Sequence, residues 1–344
     1  MKLSVLIPMY NSEKYIGNCL DSLLNQDLLE DDYEIIVMDD GSSDNSASIV
    51  ETYTEKHKNI FLHLEKNSGT YATRNKLLKL AKGDYVFNLD NDDYIVHNCL
   101  GTLLKYTAKN NLDVIGFNSI STSDMGLVHL KLDSSLNENL PKVYDGIHFL
   151  KDFKSRHIMV WWYFVRREFL IENNIVFVEN NPLEDGPFTF NVFLHAKRVM
   201  HLPLDIHRYV KAPDSIMKNQ SEAHIASMID SYLDIIRRYE FLSKKASQIK
   251  DSRIDKVMKT AKYWGDLNTY VLIRKLIKLK TSKHQIKYLI TELEHTNAYP
   301  LSNFIGREFS SLKHKLIVFV FNHKGLLFIA MPLAKFLNEL RPIE

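Results

Sequence analysis

Short apolar runs recur along the first quarter of the chain, and each run ends in a polar segment. Their β-branched and aromatic residues predict four buried strands, at Leu3–Ile7, Tyr33–Met38, Ile60–Leu64 and Tyr85–Leu89. We expect Pro8 to end the first of these strands. The segments between the runs are longer, and their apolar residues have a different spacing.

These intervening segments carry apolar residues at the spacing of a helix. One face of the first helix holds Tyr15, Ile16, Cys19, Leu20, Leu23 and Leu24, and Asn11 or Ser12 is placed to cap it. Two further helices are predicted over Ser46–Lys56 and Tyr71–Ala81. Alternating strands and helices predict an α/β fold, with a mostly parallel sheet covered by helices on both faces. Ligands bind such sheets at the carboxyl ends of the strands, where the polar loops of this segment fall.

A cluster of carboxylates, Asp90, Asp92 and Asp93, follows the fourth strand. Nothing in this run neutralises the three like charges, so a bound divalent cation is the most economical reason for them. Ligand sets made only of oxygen suit Mg²⁺ or Mn²⁺. A solvated acidic turn is the alternative, but the position of the cluster at the end of a strand favours the metal site.

The loop Asp39–Ser43 offers carboxylates, hydroxyls and a flexible Gly41, which are groups suited to a base edge or a ribose hydroxyl. Neither glycine-rich phosphate-binding motif is present there. A bound diphosphate would therefore need a metal at Asp92 to neutralise it. Arg74, on the third helix, is the one cation close to this loop, and a surface helix arginine is the alternative interpretation.

Composition predicts two domains with opposite charge. The chain has 344 residues, more than the usual single domain of about 100–200, and we place an α/β domain at 1–215 and a helical region at 216–344. Residues 236–344 carry 21 Lys and Arg against 9 Asp and Glu, whereas residues 1–235 carry 23 against 33. Only two cysteines, Cys19 and Cys99, occur, and the first apolar run is too short for a signal peptide. We therefore expect a cytoplasmic protein.

Four motifs in order resemble the family 2 glycosyltransferases of GT-A fold. They are Val5–Asn11, Val37–Asp44, Asn67–Asn75 with Gly69 and Arg74, and Ala81–Val86 leading to Leu89–Asp93. The resemblance implies a nucleotide-sugar donor, a divalent metal held by the Asp-x-Asp sequence, and inversion at the anomeric carbon. The one departure is Lys76, where the family usually has a small residue.

The resemblance also implies roles for individual residues. Donor-binding positions are Pro8, Tyr10, Asn11, Asp39, Asp40, Gly69, Arg74 and Asp90. Among these, Asp40 would accept a hydrogen bond from the base, and Asp90 would reach the ribose or sugar. Asp92 would ligate the metal, together with Asp90.

An inverting transferase needs a general base opposite the leaving diphosphate. Asp185, supported by Glu184, matches the family's Glu-Asp motif, although two adjacent carboxylates between prolines also suit an exposed turn. Trp161 or Trp162 would form an acceptor platform, because aromatic faces stack on sugars; core packing is an equal alternative. The resemblance places His207 and Tyr209 in a loop that closes over the diphosphate, where His207 is either a metal or phosphate contact or a structural histidine.

The chain changes character after about residue 220. Helices are predicted over His224–Ser247, Arg253–Leu279 and His284–His295, with Lys and Arg dominating their polar faces. Two apolar runs near the end, Leu316–Phe321 and Leu326–Leu333, are too short to span a bilayer. This basic region would rest on an anionic membrane, or pack on the catalytic domain or on a second subunit as a homodimer.

The sequence thus predicts an inverting, metal-dependent glycosyltransferase that uses a nucleotide-diphosphate sugar, with UDP favoured by family analogy. The acceptor would be a hydroxyl of a glycan or lipid-linked glycan in surface polysaccharide synthesis, and no nucleic-acid partner is expected. Phosphatase-like hydrolases also carry Asp-x-Asp, but after the first strand and with Thr or Val where this chain has Tyr94. A second alternative is a scaffold that binds a nucleotide sugar without turning it over.

Overall fold

A computed structural model of the chain describes residues 1–129, 141–151, 158–179, 181–211, 222–278, 282–296, 298–301 and 312–330. The chain divides into two compact units. The first comprises Met1–Phe149 with Phe153–Ser215, and the second comprises Leu150–Asp152 with Ile216–Glu344.

The first unit alternates strands and helices through its amino-terminal half, as the apolar pattern predicts. Its elements are β1 (Leu3–Met9), α1 (Ile16–Leu24), β2 (Tyr33–Asp39, after a 3₁₀ turn at Glu30–Asp32), α2 (Ser46–Thr54), β3 (Ile60–Leu64), α3 (Thr70–Leu80), β4 (Tyr85–Asn88), β5 (Tyr94–Ile95), α4 (Leu100–Asn110), β6 (Val114–Thr122), α5 (Gly146–Leu150), β7 (Tyr163–Arg166), α6 (Arg167–Glu172), α7 (Asp185–His195) and β8 (Val199–Val210).

These strands form one sheet in the order β3-β2-β1-β4-β7-β6-β8-β5. Parallel pairing joins β1 to β2 and β4, β2 to β3, and β6 to β8. Antiparallel pairing joins β7 to β4 and β6, and β5 to β8. The predicted α/β fold with a mostly parallel sheet is confirmed, and the carboxyl ends of β1, β2, β3 and β4 lie at one edge.

The expectation that Pro8 ends β1 is wrong by one residue. Pro8 pairs with Met38 in the ladder between β1 and β2, and the strand continues to Met9. The pairing with β4 already stops at Leu6, so at Pro8 the strand has a neighbour on one side only. Proline is tolerated at such a place because no hydrogen bond is required of its nitrogen.

Strand β1 is buried along its whole length, and α1 packs its apolar face against the same core. Both cysteines of the chain lie in this core: Cys19 on α1 and Cys99 just before α4. Burial raises the pKa of both thiols, and the nearby carboxylates of the Asp90–Asp93 run raise that of Cys19 further. The two thiols therefore stay protonated and behave as small apolar groups.

The second unit is helical, which confirms the expected C-terminal helical region. Its helices are α8 (Glu222–Ser247), α9 (Ile254–Lys278), α10 (Lys283–His295) and α11 (Leu312–Asn322), and residues 324–330 are also helical. A capping box at the start of α10 joins Ser282 and Gln285, so two backbone amides gain side-chain partners. Among the helices of the described ranges, none has both the length and the apolar character needed to cross a bilayer. The predicted run Leu326–Leu333 lies partly outside the described residues.

Candidate active site

The loops that follow β1 and β2 are tied to each other at the carboxyl edge of the sheet. Asn11 adopts a left-handed backbone conformation with φ of +49°. Its side-chain oxygen accepts a hydrogen bond from the Ser43 amide at 2.8 Å, and its own amide donates to Ser42 Oγ at 2.8 Å. Pro8 is buried in β1 and Tyr10 is exposed beside this loop. The three predicted donor residues of β1 therefore lie at the expected edge.

The carboxylates at the end of β2 organise the neighbouring loops. Asp39 accepts hydrogen bonds from the amide and the hydroxyl of Ser42. Asp40 accepts from the Ser68 amide at 2.7 Å and from the Gly69 amide at 2.9 Å, one bond to each oxygen. Gly69 has a φ of +87°, which glycine adopts without strain. Asp40 therefore holds the start of α3 in place, and its role toward a nucleotide base stays a prediction.

Arg74 is buried inside the unit rather than lying on the surface of a helix. Its Nη2 contacts Asp90 Oδ1 at 2.5 Å, and its Nη1 donates to Asn88 Oδ1 at 3.3 Å. The Arg74 side chain is 2% exposed and that of Asp90 30%, so removal of Asp90 would leave a buried guanidinium charge without its partner. This pair therefore fixes Asp90 at the floor of the site.

The acidic cluster fits a hard divalent cation. Carboxylate oxygens of Asp90, Asp92 and Asp93 all lie within 4.8 Å of one another. Burial, followed by repulsion from Asp90 and Asp93, raises the pKa of Asp92 to about 7, and burial with Asp90 raises that of Asp93 well above its usual value. A cation would relieve this repulsion, and an oxygen-only set suits Mg²⁺ or Mn²⁺. Asp93 is thus a third possible ligand beside the predicted ligands Asp90 and Asp92.

Asp93 is held in place by two residues of β8. Its Oδ1 accepts a hydrogen bond from the Val210 amide at 2.8 Å, and its Oδ2 lies 3.1 Å from His207 Nε2. The other ring nitrogen of His207 lies 2.8 Å from Ser119 Oγ. Burial lowers the pKa of His207 to about 3, so the imidazole is neutral. The role of His207 stays a prediction: its ring is fully buried, and its Nε2 faces Asp93 of the acidic cluster.

Both tryptophans proposed for the acceptor side, Trp161 and Trp162, are buried. Trp162 is 2% exposed and stacks on Phe193, so core packing is the correct alternative for it. Trp161 stacks on His207 with ring centroids 4.3 Å apart and lies 5.8 Å from the ring of Tyr209. The expectation of a closing loop at His207 and Tyr209 is wrong. Both residues belong to β8, where pairing with β6 fixes the backbone, and only Tyr209 is exposed.

The proposed base lies at the first residue of α7. The Asp185 amide donates to the Tyr71 hydroxyl at 3.3 Å, and this hydroxyl also interacts with the Asp185 carboxylate. Asp185 Oδ1 is buried and accepts no hydrogen bond from any residue in the described ranges. Burial raises the pKa of Asp185 to about 6, with Arg74 lowering it and Asp90 raising it. Glu184 is completely buried, so the pair is not an exposed turn.

Helix α3 also fixes the segment that leads to the base. The Asn75 side-chain amide donates to the Phe177 carbonyl at 2.9 Å and to Glu179 Oε1 at 3.0 Å, and its oxygen accepts from the Phe177 amide at 3.0 Å. The ring of Phe177 stacks on Phe188 of α7 at 3.7 Å. The three hydrogen bonds of Asn75 and the stacking of Phe177 on Phe188 therefore connect α3 to α7.

A comparison with known families assigns the first part of the chain. Residues 4–173 match the model of Glycosyl transferase family 2. Residues 4–173 therefore form a glycosyltransferase family 2 domain. The glycosyltransferase domain so defined contains the acidic cluster and Arg74, whereas Asp185 lies beyond the matched residues.

Relatives of this chain occur in bacteria. The uncharacterized glycosyltransferase EpsJ of Bacillus subtilis is 32% identical over 216 residues, which are 62% of each chain. A poly(ribitol-phosphate) beta-glucosyltransferase of Bacillus spizizenii is 34% identical over 202 residues, 58% of this chain and 30% of that protein. The chain thus spans less than two thirds of either relative.

A crystal structure of residues 1–349 of S. aureus TarS, in complex with UDP-GlcNAc, superposes with a TM-score of 0.69 and 23% identity. It covers 99% of this chain and 92% of that one. The likeness shows the GT-A fold with a helical C-terminal region.

Three residues of the candidate site, Tyr71, Asn75 and Asn91, are absent from the sequence-based set, where Asp93 appears only as part of the acidic run. The Asn91 side-chain amide donates to the Pro8 carbonyl at 2.7 Å. Tyr71, Arg74 and Asn75 share one face of α3, and this helical spacing is a signal that could have revealed them. Asp93 is visible in the acidic run, but its burial depends on β8, which the apolar pattern does not predict.

Proposed function

We propose that the chain transfers a sugar from a UDP-sugar to a hydroxyl of a surface glycan or lipid-linked glycan, with inversion and with a divalent metal at Asp92 and Asp90. The observation that carries the proposal is the pairing of two unlike carboxylate groups in one site. One is a cluster of three that suits a cation, and the other is a lone carboxylate, Asp185, whose pKa of about 6 suits a base. Arg74 interacts electrostatically with Asp90 and Asp185 and so links the two groups.

The proposed reaction divides the work between these groups. Asp185 takes the proton of the acceptor hydroxyl. The hydroxyl oxygen bonds to the anomeric carbon as the bond from that carbon to the diphosphate breaks. The nucleoside diphosphate leaves with the electron pair. The metal, when bound, supplies positive charge to the departing diphosphate. Asp92 and Asp90 would hold the metal ion, and contacts with His207 and the Val210 amide position Asp93 beside them.

The names of the relatives support the choice of substrates. The TarS complex contains UDP-GlcNAc, and the relative from Bacillus spizizenii is named for a poly(ribitol-phosphate) acceptor. We therefore place this protein in surface polysaccharide synthesis, acting from the cytoplasmic side on a polymeric or lipid-linked acceptor. In this proposal the catalytic domain spans 1–215 and the helical region 216–344.

Thermal unfolding with a panel of nucleoside diphosphates tests the donor site. With Mn²⁺ present, UDP at about 100 times its Kd should raise the melting temperature by roughly 5–10 °C, since a ligand that binds only the folded state stabilises it. EDTA should remove the shift. If GDP or dTDP gives the shift and UDP does not, the donor is a sugar carried on that nucleotide. No shift with any nucleotide would overturn the proposed donor site. Binding without any turnover to a panel of acceptors would favour the scaffold.

Tyr71→Phe should lower the rate of transfer by about two- to tenfold, the worth of one hydrogen bond. The Tyr71 hydroxyl lowers the pKa of Asp185, so its loss should move the acidic limb of the activity profile to higher pH. The rate of transfer measured against pH provides the test, and Tyr53→Phe, which removes a hydroxyl bonded to Asp21 on the α1–α2 side, is the matched control. An unchanged pH profile in Tyr71→Phe would show that Tyr71 does not position the base.

A further inference from the structure

An apolar face is exposed along α11 and the helical residues that follow it. Leu312 is 83% exposed, Leu316 63% and Phe319 52%, and beyond α11 Leu326 is 42% and Ile329 67% exposed. We call these five residues the outer face. Five large apolar side chains at such exposure, within two consecutive helical segments, indicate an interaction site on a protein surface.

The opposite side of α11 already packs within the second unit. Val318 and Phe321 are buried, and the Phe321 ring lies 5.7 Å from that of Tyr270. The Tyr299 hydroxyl donates to the Phe321 carbonyl, and Asn322 exchanges two hydrogen bonds with the backbone of Leu301 at 2.8 and 3.1 Å. The helix is therefore anchored without its outer face. A helix that is apolar on both sides needs a second apolar environment.

The charge around the outer face indicates which kind of apolar environment covers it. Residues 309–338 contain four lysines and no Asp or Glu. Lys315 is exposed on α11, one residue before Leu316 of the outer face. Lys324 is paired with Glu294 of α10 at 2.7 Å, so its charge is partly compensated. The surroundings of the outer face are thus apolar and positively charged.

A second copy of the chain fits this face poorly. In a symmetric dimer the same patch meets itself, so lysines would approach lysines with no carboxylate of the segment between them. Anionic lipid head groups neutralise such lysines, while the acyl boundary accepts the apolar side chains.

We propose that the outer face of α11 and residues 324–330 is a binding surface for an anionic membrane. The helix lies in the plane of the bilayer surface, with Leu316 and Phe319 among the acyl chains and Lys315 among the head groups. The proposal concerns the helical unit and does not require the transferase reaction. If the reaction is as proposed, this surface holds the enzyme where lipid-linked acceptors are.

Co-sedimentation of the full chain with lipid vesicles tests the proposal. The protein should bind phosphatidylcholine vesicles that contain about 30% phosphatidylglycerol much more tightly than neutral vesicles, and about 0.5 M NaCl should weaken the binding. Phe319→Glu should lower the partition coefficient by at least about tenfold. The substitution removes a ring that would lie among the acyl chains and adds a negative charge that anionic lipids repel. Phe241→Glu, on α8 and 56% exposed, is the matched control and should bind as the wild type does.

Three results would overturn the proposal: no binding to anionic vesicles, equal binding to neutral ones, or equal loss in Phe319→Glu and Phe241→Glu. A dimer in size-exclusion chromatography that Phe319→Glu dissociates would assign the outer face to a second copy instead. Circular dichroism and the UDP-induced thermal shift of each variant separate a loss of folding from a loss of membrane binding. Failure of the donor-site proposal would leave the vesicle result unaffected.

Discussion

Asp185→Asn lowers the rate of sugar transfer by about 10²–10⁴-fold and leaves UDP binding intact. Asparagine keeps the shape of the side chain but cannot take a proton from the acceptor. The carboxylate must be ionised to act, so in the wild type the rate falls about tenfold per pH unit below the pKa of Asp185, about 6. Steady-state rates with a radiolabelled donor, measured from acidic to alkaline pH, check both statements.

Asp84→Asn is the matched control for this variant. Asp84 is exposed just before β4, at the opposite edge of the sheet from the site, and the same substitution there should leave the rate and its pH profile unchanged. Full transfer by Asp185→Asn would rule out Asp185 as the base. Loss of UDP binding along with transfer would instead indicate that the substitution disturbs α7 or its contact with Tyr71.

Asp92→Asn removes the Mn²⁺-dependent part of the thermal shift with UDP and abolishes metal-dependent transfer. The same variant, without metal, should melt at a higher temperature than the wild type at about pH 8. The reason is that the folded pKa of Asp92, about 7, exceeds its usual value of 3.8. Between these two values the folded state keeps a proton that the unfolded state has lost. The stability from this proton is therefore present at low pH and lost as pH rises toward 7.

Metal binding should show the opposite trend with pH. Protons compete with the cation for Asp92, so Mn²⁺ should raise the melting temperature more at about pH 8 than at about pH 5.5. Asp84→Asn should respond to Mn²⁺ as the wild type does. A full metal response in Asp92→Asn would place the cation elsewhere, and a response that does not vary with pH would exclude Asp92 as the titrating ligand.

The parallel half of the fold could be predicted from the sequence because its strands are continuous apolar runs. Ile60–Leu64 agrees residue for residue, and Tyr33–Met38 differs from β2 by one residue. The antiparallel strands β5 and β7 could not, since β5 has two residues and β7 has four. Runs this short do not rise above the background of apolar residues, and only tertiary pairing makes them strands.

The candidate site, too, could be predicted only in part from the sequence. The motifs place Asp39, Asp40, Arg74 and Asp90 together, because all four lie at or near the carboxyl ends of parallel strands. Sequence could not reveal that Arg74 is buried or that His207 is inaccessible, since both facts depend on packing across the sheet.

The burial of Cys19 and Cys99 makes the wild-type chain a convenient background for site-directed labelling. Both thiols are enclosed and protonated, so a maleimide reagent at neutral pH should leave them unmodified while the protein is folded. A single cysteine introduced in place of Leu316 would then be the one reactive thiol. A nitroxide attached there would report immersion depth from its collisions with oxygen, so the lipid contact of α11 becomes a distance from the bilayer surface.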